Sequence, residues 1–528
     1  MPDSDYPAVP SDLRGLAPRG ARHVVAVAGG RGGVGASVTA TNLAVYLAQL
    51  GRKVTLVDAD PTGAQLHSML GVELDRTFVE SEESEDALEL VATPIPGLRL
   101  LPQRYSIGST VPIRPGRKPR WVRALRVLDA DYVILDLGAG TAGATLDLFL
   151  GADLGIVVVT PEPPSVEGAY RFVRALFQRK LRRAIAKDRY KGRLEERALS
   201  ELPPMPSPEA LVRQIARYEA ATGELAAAEL ASLRPRLVVN GARLRPDADL
   251  GQAMIDMSRR HLGVAFDYLG HIEHDDAVWL SVVRSRPLLV DSPTSKSARN
   301  IERIARRVLA LAQNRVETPE PSPVVLSTAE RSLYDVLLTH RSATDEELRR
   351  AHKRQRDIYQ PGSLPLTSLV SDGELRTEQA RIDEAHDTLL DPLRRRAYDV
   401  STFPEAAAAG ERPKNQPVDE AVQAERAMLR AELAREINAE TEFTGALLRK
   451  VRESLGTDLE EIASRTKISL PYLRAIEAED FAGLPAFVYA RGFVHEVARC
   501  LSLDPTQVTR TYLKRFREWM RTTQGQGS

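Results

Sequence analysis

The strongest constraint on how this chain folds is a glycine-rich turn set between an apolar strand and an apolar helix. His23-Val-Val-Ala-Val-Ala is a short run of buried-strand type, and Val38 to Leu50 has the apolar content of a helix. Between them lies Gly30-Arg31-Gly32-Gly33-Val34-Gly35-Ala36-Ser37. The spacing is that of a phosphate-binding loop, G-x-x-x-x-G-K-[ST], with Ala36 where the lysine belongs. Glycines let successive backbone N–H groups wrap a phosphate, and the helix behind the loop points its positive end at the same place. Ser37 has the hydroxyl that holds Mg²⁺ in such loops. A tight structural connection has the same composition, so the rest of the chain must decide.

It does so by repeating strand and helix signals. Lys53 to Asp58, Tyr132 to Asp136, Gly155 to Thr160 and Arg236 to Asn240 are continuous apolar runs separated by helical segments. That alternation predicts an α/β fold with a doubly wound, mainly parallel sheet. Asp58-Ala59-Asp60 closes one strand, where a carboxylate orients water or reaches a metal. Asp136, followed by Leu137-Gly138-Ala139-Gly140, closes another, the Walker B position for Mg²⁺. Ser37, Asp58 and Asp136 are therefore the candidate metal ligands, and Asp60 the candidate for orienting a catalytic water.

Residues 21–314 resemble the MinD/ParA/FlhG family of deviant Walker A ATPases. The resemblance rests on RGGVGAS (31–37), VTLVDADPTGAQL (54–66), DYVILDLGAGT (131–141) and TPEPPSVEGAYRFV (160–173). It continues through LVVNGARLRPDADLG (237–251), YLGHIEHDD (268–276) and RPLLVDSP (286–293). The Gly-Ala-Gly after Asp136 and the Thr-Pro-Glu-Pro are most similar to FlhG, which controls flagellar number and placement. The resemblance implies ATP or ADP with Mg²⁺ on Gly30, Arg31, Gly32, Gly33, Val34, Gly35, Ala36 and Ser37. It also implies Asn240 near the adenine, and a homodimer that sandwiches the nucleotide. His271, Glu273, His274 and Asp275 fall in a family loop and are read as that, not as a metal site.

The departures weigh as much. The family loop reads K-G-G-x-G-K-[ST]; here the signature lysine is Arg31 and the loop lysine is Ala36. Arg31 keeps charge but not the compact geometry of an ammonium, and Ala36 removes the cation beside the β- and γ-phosphates. The expectation is weak or absent nucleotide binding and poor hydrolysis. A working ATPase would need Arg31 and another group to replace the lysine. Arg171 to Arg193 is dense in base, and Arg114 to Arg126 is a second such cluster around Trp121. Both are read as solvated faces, with DNA phosphates or an anionic membrane surface as the alternative.

Two Pro-rich or Ala/Gly-rich stretches, Asn314 to Ser327 and Ser401 to Pro417, cut the chain further. The expected organisation is a tail (1–20), the nucleotide-binding-type unit (21–314) with a helical insertion near 180–235, and a linker (315–328). Then come a helical unit (329–400), a linker with a lead-in helix (401–440), a second helical unit (441–520) and a tail (521–528). Residues 329–400 resemble a J domain. Thr344 and Glu347 form a capping box, and Leu348, Ala351, Gln355 and Ile358 make a helical core stripe. The family's HPD tripeptide is here Gln360-Pro361-Gly362, so chaperone stimulation is not expected.

Residues 443–519 read as short helices. Thr457 and Glu460 suggest a capping box, Lys467-Ile468 a turn, and Ser469 the cap of a second helix. The string from LRKVRESLG to ARCLSLD resembles the RodZ helix-turn-helix, whose family partner is the actin-like MreB. Tyr472 and Arg474 are the partner-binding candidates. Glu477, Glu479 and Asp480 are read as repelling phosphate, which favours a protein over DNA.

Cys500 is the sole cysteine, and Lys plus Arg equals Asp plus Glu at 72 each. No disulfide within the chain is possible, and no net charge forces a partner. No apolar run approaches the ~18–20 residues that cross a bilayer. The expectation is a cytoplasmic protein, peripheral at most at the inner membrane or cell pole. The leading reading is a spatial regulator or scaffold of polarity, flagellar placement or the cytoskeleton. The alternatives are a DNA-binding regulator and a working ATPase.

Overall fold

Runs of Val, Leu and Ile with few polar interruptions bury both faces of a strand, and such strands need helices on either side. The computed structural model describes residues 23–60, 65–74, 90–102, 128–313, 331–403, 428–429, 433, 437, 441–485 and 487–524. Its strands are β1 (His23–Gly29), β2 (Val54–Asp58), β3 (Val91–Ala92), β4 (Leu98–Leu101), β5 (Tyr132–Ala139), β6 (Leu154–Val159), β7 (Arg236–Ala242) and β8 (Asp267–Glu273). They form one sheet in the order β3-β4-β2-β5-β1-β6-β7-β8. All pairings are parallel except β3 with β4. β2 and β6 are buried throughout.

Besides two four-residue turns of helix, Leu66–Met69 and Leu288–Asp291, the helices of this sheet unit are α1 (Ala36–Gln49), α2 (Gly143–Gly151), α3 (Pro163–Ile185), α4 (Arg189–Ser200), α5 (Pro208–Tyr218), α6 (Ala220–Ala231), α7 (Arg245–Leu262), α8 (Asp276–Val283) and α9 (Lys296–Gln313). Much of the basic run is tied down by acids. Arg179 meets Asp147 at 2.7 Å, Arg182 meets the buried Glu195 at 2.9 Å, and Lys180 pairs with Glu229. Arg183, Lys187, Arg189 and Arg193 remain exposed. The second basic cluster, 114–126, lies outside the described residues, as do the linker 315–328 and both tails' outer residues.

Four helices follow: α10 (Leu333–Leu337), α11 (Asp345–Ile358), α12 (Asp372–Leu389) and α13 (Pro392–Thr402). The Thr344–Glu347 capping box is formed, and Leu348, Ala351, Gln355 and Ile358 are buried. Ser371 with Glu374 starts α12, and Asp391 caps α13. The core of these helices includes Tyr334, Leu348, Tyr359, Ile382 and Leu389, together with Met257 of α7. The described residues up to 403 accordingly make one compact unit, and those from 428 onward make another.

The second unit holds α14 (Gly445–Leu455), α15 (Leu459–Thr466), α16 (Leu470–Ala478), α17 (Phe487–Cys500) and α18 (Pro505–Gln524). Lys467, at φ 61°, makes the turn between α15 and α16. Two expected caps differ. α15 starts one residue later than a Thr457 cap requires, with Asp458 at the cap position and no side-chain bond there. Ser469 sits at the cap of α16 but makes no side-chain cap bond. Tyr472 is half-buried and packs on Phe493 at 5.5 Å between ring centroids, whereas Arg474 is exposed. Two of the three acids expected to repel phosphate are paired. Glu477 takes a two-bond ion pair from Arg452 at 2.6 and 3.0 Å, and Glu479 pairs with Arg515 at 2.6 Å. Their charge is neutralised internally, so it offers little repulsion to an incoming phosphate. The exposed positions of α16 are Pro471, Arg474 and Ala478, a single cation. Among the described residues no helix is long and apolar enough to cross a membrane.

Candidate functional site

The site gathers at the carboxyl ends of the parallel strands, where β1 lies between β5 and β6. In open α/β sheets ligands bind in that crevice. The loop Gly30–Gly35 leaves β1 and enters α1. Gly33 and Gly35 hold φ of 82° and 88°, a left-handed conformation that suits glycine. No side chain caps α1, whose first-turn N–H groups are left for an anion. Two close approaches pin the loop. A Cβ on Gly30 would lie 2.1 Å from the backbone carbon of Gly168 in α3, so the two backbones touch. Asn240, at the end of β7, donates to the Val34 carbonyl at 2.8 Å.

Three acids stand beside the loop. β2 and β5 are adjacent and in register at Asp58 and Asp136, so both carboxyls leave the sheet at one level. Asp136 accepts hydrogen bonds from the Ser37 hydroxyl and, at 3.2 Å, from the Gly138 N–H. Asp58 Oδ2 accepts from the N–H groups of Gln65 and Leu66 at 3.0 and 3.2 Å, while its Oδ1 is buried with no partner. The Asp60 carboxyl lies against Gly138, where a Cβ would meet its Cγ at 2.1 Å. Burial drives the Asp58 carboxyl up to about 7, with the Asp136 charge adding to it. Burial likewise lifts Asp136 to about 6, partly offset by the Ser37 bond, with Asp60 adding repulsion. Burial, hydrogen bonds and neighbouring acids dominate at both carboxyls, and Ala36, next to Ser37, is itself buried.

The loop's own cation, Arg31, turns to Glu162 at the start of α3, 3.2 Å away, with both side chains about half exposed (45% and 58%). An exposed pair of this kind is worth about 0–1 kcal/mol, so a ligand displaces it at little cost. A cavity of about 710 Å³ opens past the ends of β7 and β8, lined by Arg243, His274, Asp275, Asp276, Thr294, Ser295, Lys296 and Arg299. Sequence reasoning missed this cavity except for the loop that carries His274 and Asp275. Its residues come from segments whose proximity only strand pairing reveals.

The donor set suits phosphate and a divalent cation together. The glycine loop offers N–H groups, and Asp58 Oδ1 is an orphaned buried acceptor that a cation or its water would satisfy. Among the described residues no group of three or more His, Cys, Asp or Glu is arranged to hold a metal alone. Mg²⁺ is ordinarily held by one or two carboxylates plus the ligand's phosphates, and Asp58 and Asp136 supply the carboxylates.

A glycine phosphate loop feeding a helix, beside two strand-end acids on a parallel sheet, defines a P-loop nucleotide-binding domain. A family model described as NUBPL iron-transfer P-loop NTPase (ParA) matches residues 20–182, and one described as a helix-turn-helix domain matches residues 447–508. The antiactivator FleN of Pseudomonas aeruginosa is 25% identical over 288 residues, covering 54% of this chain and 85% of that protein. The chromosome-partitioning ATPase Soj of Thermus thermophilus is 38% identical over 145 residues, covering 27% of this chain and 57% of that protein. The flagellum site-determining protein YlxH of Helicobacter pylori is 32% identical over 166 residues, covering 30% and 54%. The septum site-determining protein MinD of Pyrococcus horikoshii, solved with Mg-ADP, aligns at 18% identity and a TM-score of 0.35, over 54% of this chain and 96% of that one. The chain carries a ParA/MinD-family P-loop NTPase domain and, toward its C-terminus, a helix-turn-helix domain.

The acid pair makes stability depend on pH. Asp58 rises from an unfolded value near 3.9 to about 7, so the native state holds a proton that the unfolded chain has lost. Its contribution is full below about pH 4 and disappears as pH rises through 7. We expect Asp58→Asn to stabilise the metal-free chain at pH 8 relative to the wild type by about 2–4 kcal/mol, and to matter little at pH 4.5. Urea unfolding of both proteins at the two pH values measures this. Equal differences at both would contradict it.

Proposed function

We propose that this chain is a nucleotide-responsive spatial regulator, a protein that places or limits an assembly in the cell and turns ATP over slowly at most. The observation that carries the proposal is the combination at the loop. The backbone cradle, Ser37, Asp58 and Asp136 are retained, while Ala36 stands where the transition-state cation is needed. Ground-state binding draws on N–H groups, the helix end and Mg²⁺. Hydrolysis draws on charge stabilisation that the missing lysine supplied.

In this reading Gly30 to Ser37 hold the β- and γ-phosphates, with Asn240 near the base, on the side of the loop toward β7. Ser37 with Asp136 and Asp58 hold Mg²⁺, and Asp60 orients water in whatever turnover remains. Arg31 leaves Glu162 to meet nucleotide, in its own protomer or across a homodimer. The name of the similar YlxH, a flagellum site-determining protein, supports flagellar placement as the process. The C-terminal helix-turn-helix unit supplies the partner contact. Its α16 exposes one cation, and Val488 and Tyr489 of α17 are exposed at 77% and 67%, which suits a protein partner at the pole or cytoskeleton. Location is then cytoplasmic, with recruitment to the inner membrane or pole through partners.

Restoring the cation tests the carrying observation. Ala36→Lys in the intact chain should raise single-turnover ATP hydrolysis by about tenfold to a thousandfold, the range associated with one transition-state donor. Sedimentation with Mg²⁺ and a non-hydrolysable ATP analogue should show dimer in both proteins. A wild type already turning over at about 1 s⁻¹ would contradict a slow switch and establish a working ATPase.

One observation keeps the DNA reading alive: Glu477 in α16 and Glu479 just past it are already paired with Arg452 and Arg515. Fluorescence anisotropy of a labelled duplex with the intact chain at 50 and 200 mM salt separates the two. The protein reading expects no saturable binding at the higher salt. Salt-dependent binding weakened by Arg474→Ala would replace it with the DNA reading.

A further inference from the structure

The four-helix segment 331–403 does not merely follow the nucleotide-binding domain; its inter-helix loop is docked on two helices of that domain. Between α11 and α12 the chain makes a short 3₁₀ turn, Leu364–Leu366. The Tyr170 hydroxyl of α3, wholly buried, donates to the Pro365 carbonyl at 2.7 Å. Arg174, one turn further along α3, donates to the Ser368 carbonyl at 3.1 Å. Leu364 and Leu369 pack against the main core of the sheet unit. On α7, Arg260 has a side chain only 5% exposed, pairs with Glu378 at 2.9 Å and lies over the Tyr359 ring. His261 Nε2 meets the Tyr359 hydroxyl at 2.8 Å.

The same helix α3 touches the phosphate loop. Its first residues bear Glu162, which holds Arg31, and Gly168, whose backbone abuts Gly30. Gly168 and Tyr170 are two residues apart, and Gly168 to Arg174 spans about 9 Å of helix at 1.5 Å per residue. A 23-residue helix packed in the core moves as a body rather than bending between those points. The contact at Gly30 is backbone on backbone, so neither side has a flexible side chain to absorb a shift.

We propose that residues 331–403 act as a clamp in cis: by holding α3 through the 364–369 loop, they set the position of the phosphate loop, so that releasing the clamp changes the loop without altering any residue at the phosphate site. The surface that faces α3 and α7 is occupied by this chain itself and is closed to an outside partner while docked. A partner that captured the 364–369 loop would gain access only by letting go of α3. The coupling of clamp to loop stands on geometry alone; its effect on nucleotide affinity rests on the function proposed above.

The test uses the intact chain and hydrogen exchange of backbone amides. Three forms are compared with the wild type: Tyr170→Phe, Tyr170→Phe with Arg174→Ala, and that pair with Leu369→Ser. Exchange within 364–369 reports docking, and exchange within 30–37 reports the loop. Graded acceleration in both segments supports the clamp, and Mg-ATP affinity should shift by about fivefold or more in the triple variant. Faster exchange at 364–369 with 30–37 unchanged would overturn it, as would no acceleration at 364–369 in any variant. Should the triple variant fail to fold, Tyr170→Phe, which keeps the ring and removes one bond, carries the same comparison. If exchange moves in both segments but neither protein binds nucleotide, the clamp stands and the nucleotide reading falls.

Discussion

The parallel pairing of β1 with β5 on one side and β6 on the other fixes nearly everything at the site. It places the loop after β1 at the centre of the sheet's carboxyl edge, with the Asp136 strand at its side. β2 then pairs outside β5, which brings Asp58 level with Asp136. β6 leads into α3, the helix that meets Gly30. A different strand order would scatter the same residues, although every local motif in the sequence would be unchanged.

The loss of one lysine changes the charge balance of the site. It removes a cation from the phosphate site, beside two buried acids whose charge is set mainly by burial, hydrogen bonds and neighbouring acids. Burying ionised carboxylates costs free energy unless they are paired, so both acids give up their protons at higher pH than an exposed carboxyl does. Asp58, Asp136 and Ser37 would hold a divalent cation beside a polyphosphate, and its charge would offset both deficits. The retained Ser37–Asp136 bond keeps that position ordered in its absence. On the function proposed above, the chemistry that remains is recognition depending on metal and nucleotide together, which suits a switch.

The sequence made the inner strands legible, because Val, Leu and Ile runs buried on both faces have no other stable use. β8 carries a weak strand signal in its composition, and the structure places His271 and Glu273 within it rather than in the loop after it. Gly270, His271 and Glu273 interrupt its apolar pattern, and only pairing with β7 makes it one. β3, two residues long, carries no signal at all. At the site, glycine spacing and strand-end acids were legible as local features. The Asp58–Asp136 juxtaposition and the Gly30–Gly168 contact were not, since both are set by register. The bond from Tyr170 to Pro365 joins residues 195 apart in the chain, beyond any reading of periodicity. The helix starts at Asp458 and Ser469 show the converse: residues of capping type stood near the right places without forming the expected bonds.

The proposed switch requires that a cradle without its lysine still bind nucleotide when Mg²⁺ is present. Calorimetric titration of ATP into the intact chain at pH 7.5, with and without Mg²⁺, measures this. Binding is expected with Kd between about 10 µM and 1 mM in the presence of Mg²⁺, and at least about tenfold weaker without it. Absence of binding at millimolar Mg-ATP, or binding indifferent to the metal, would contradict it.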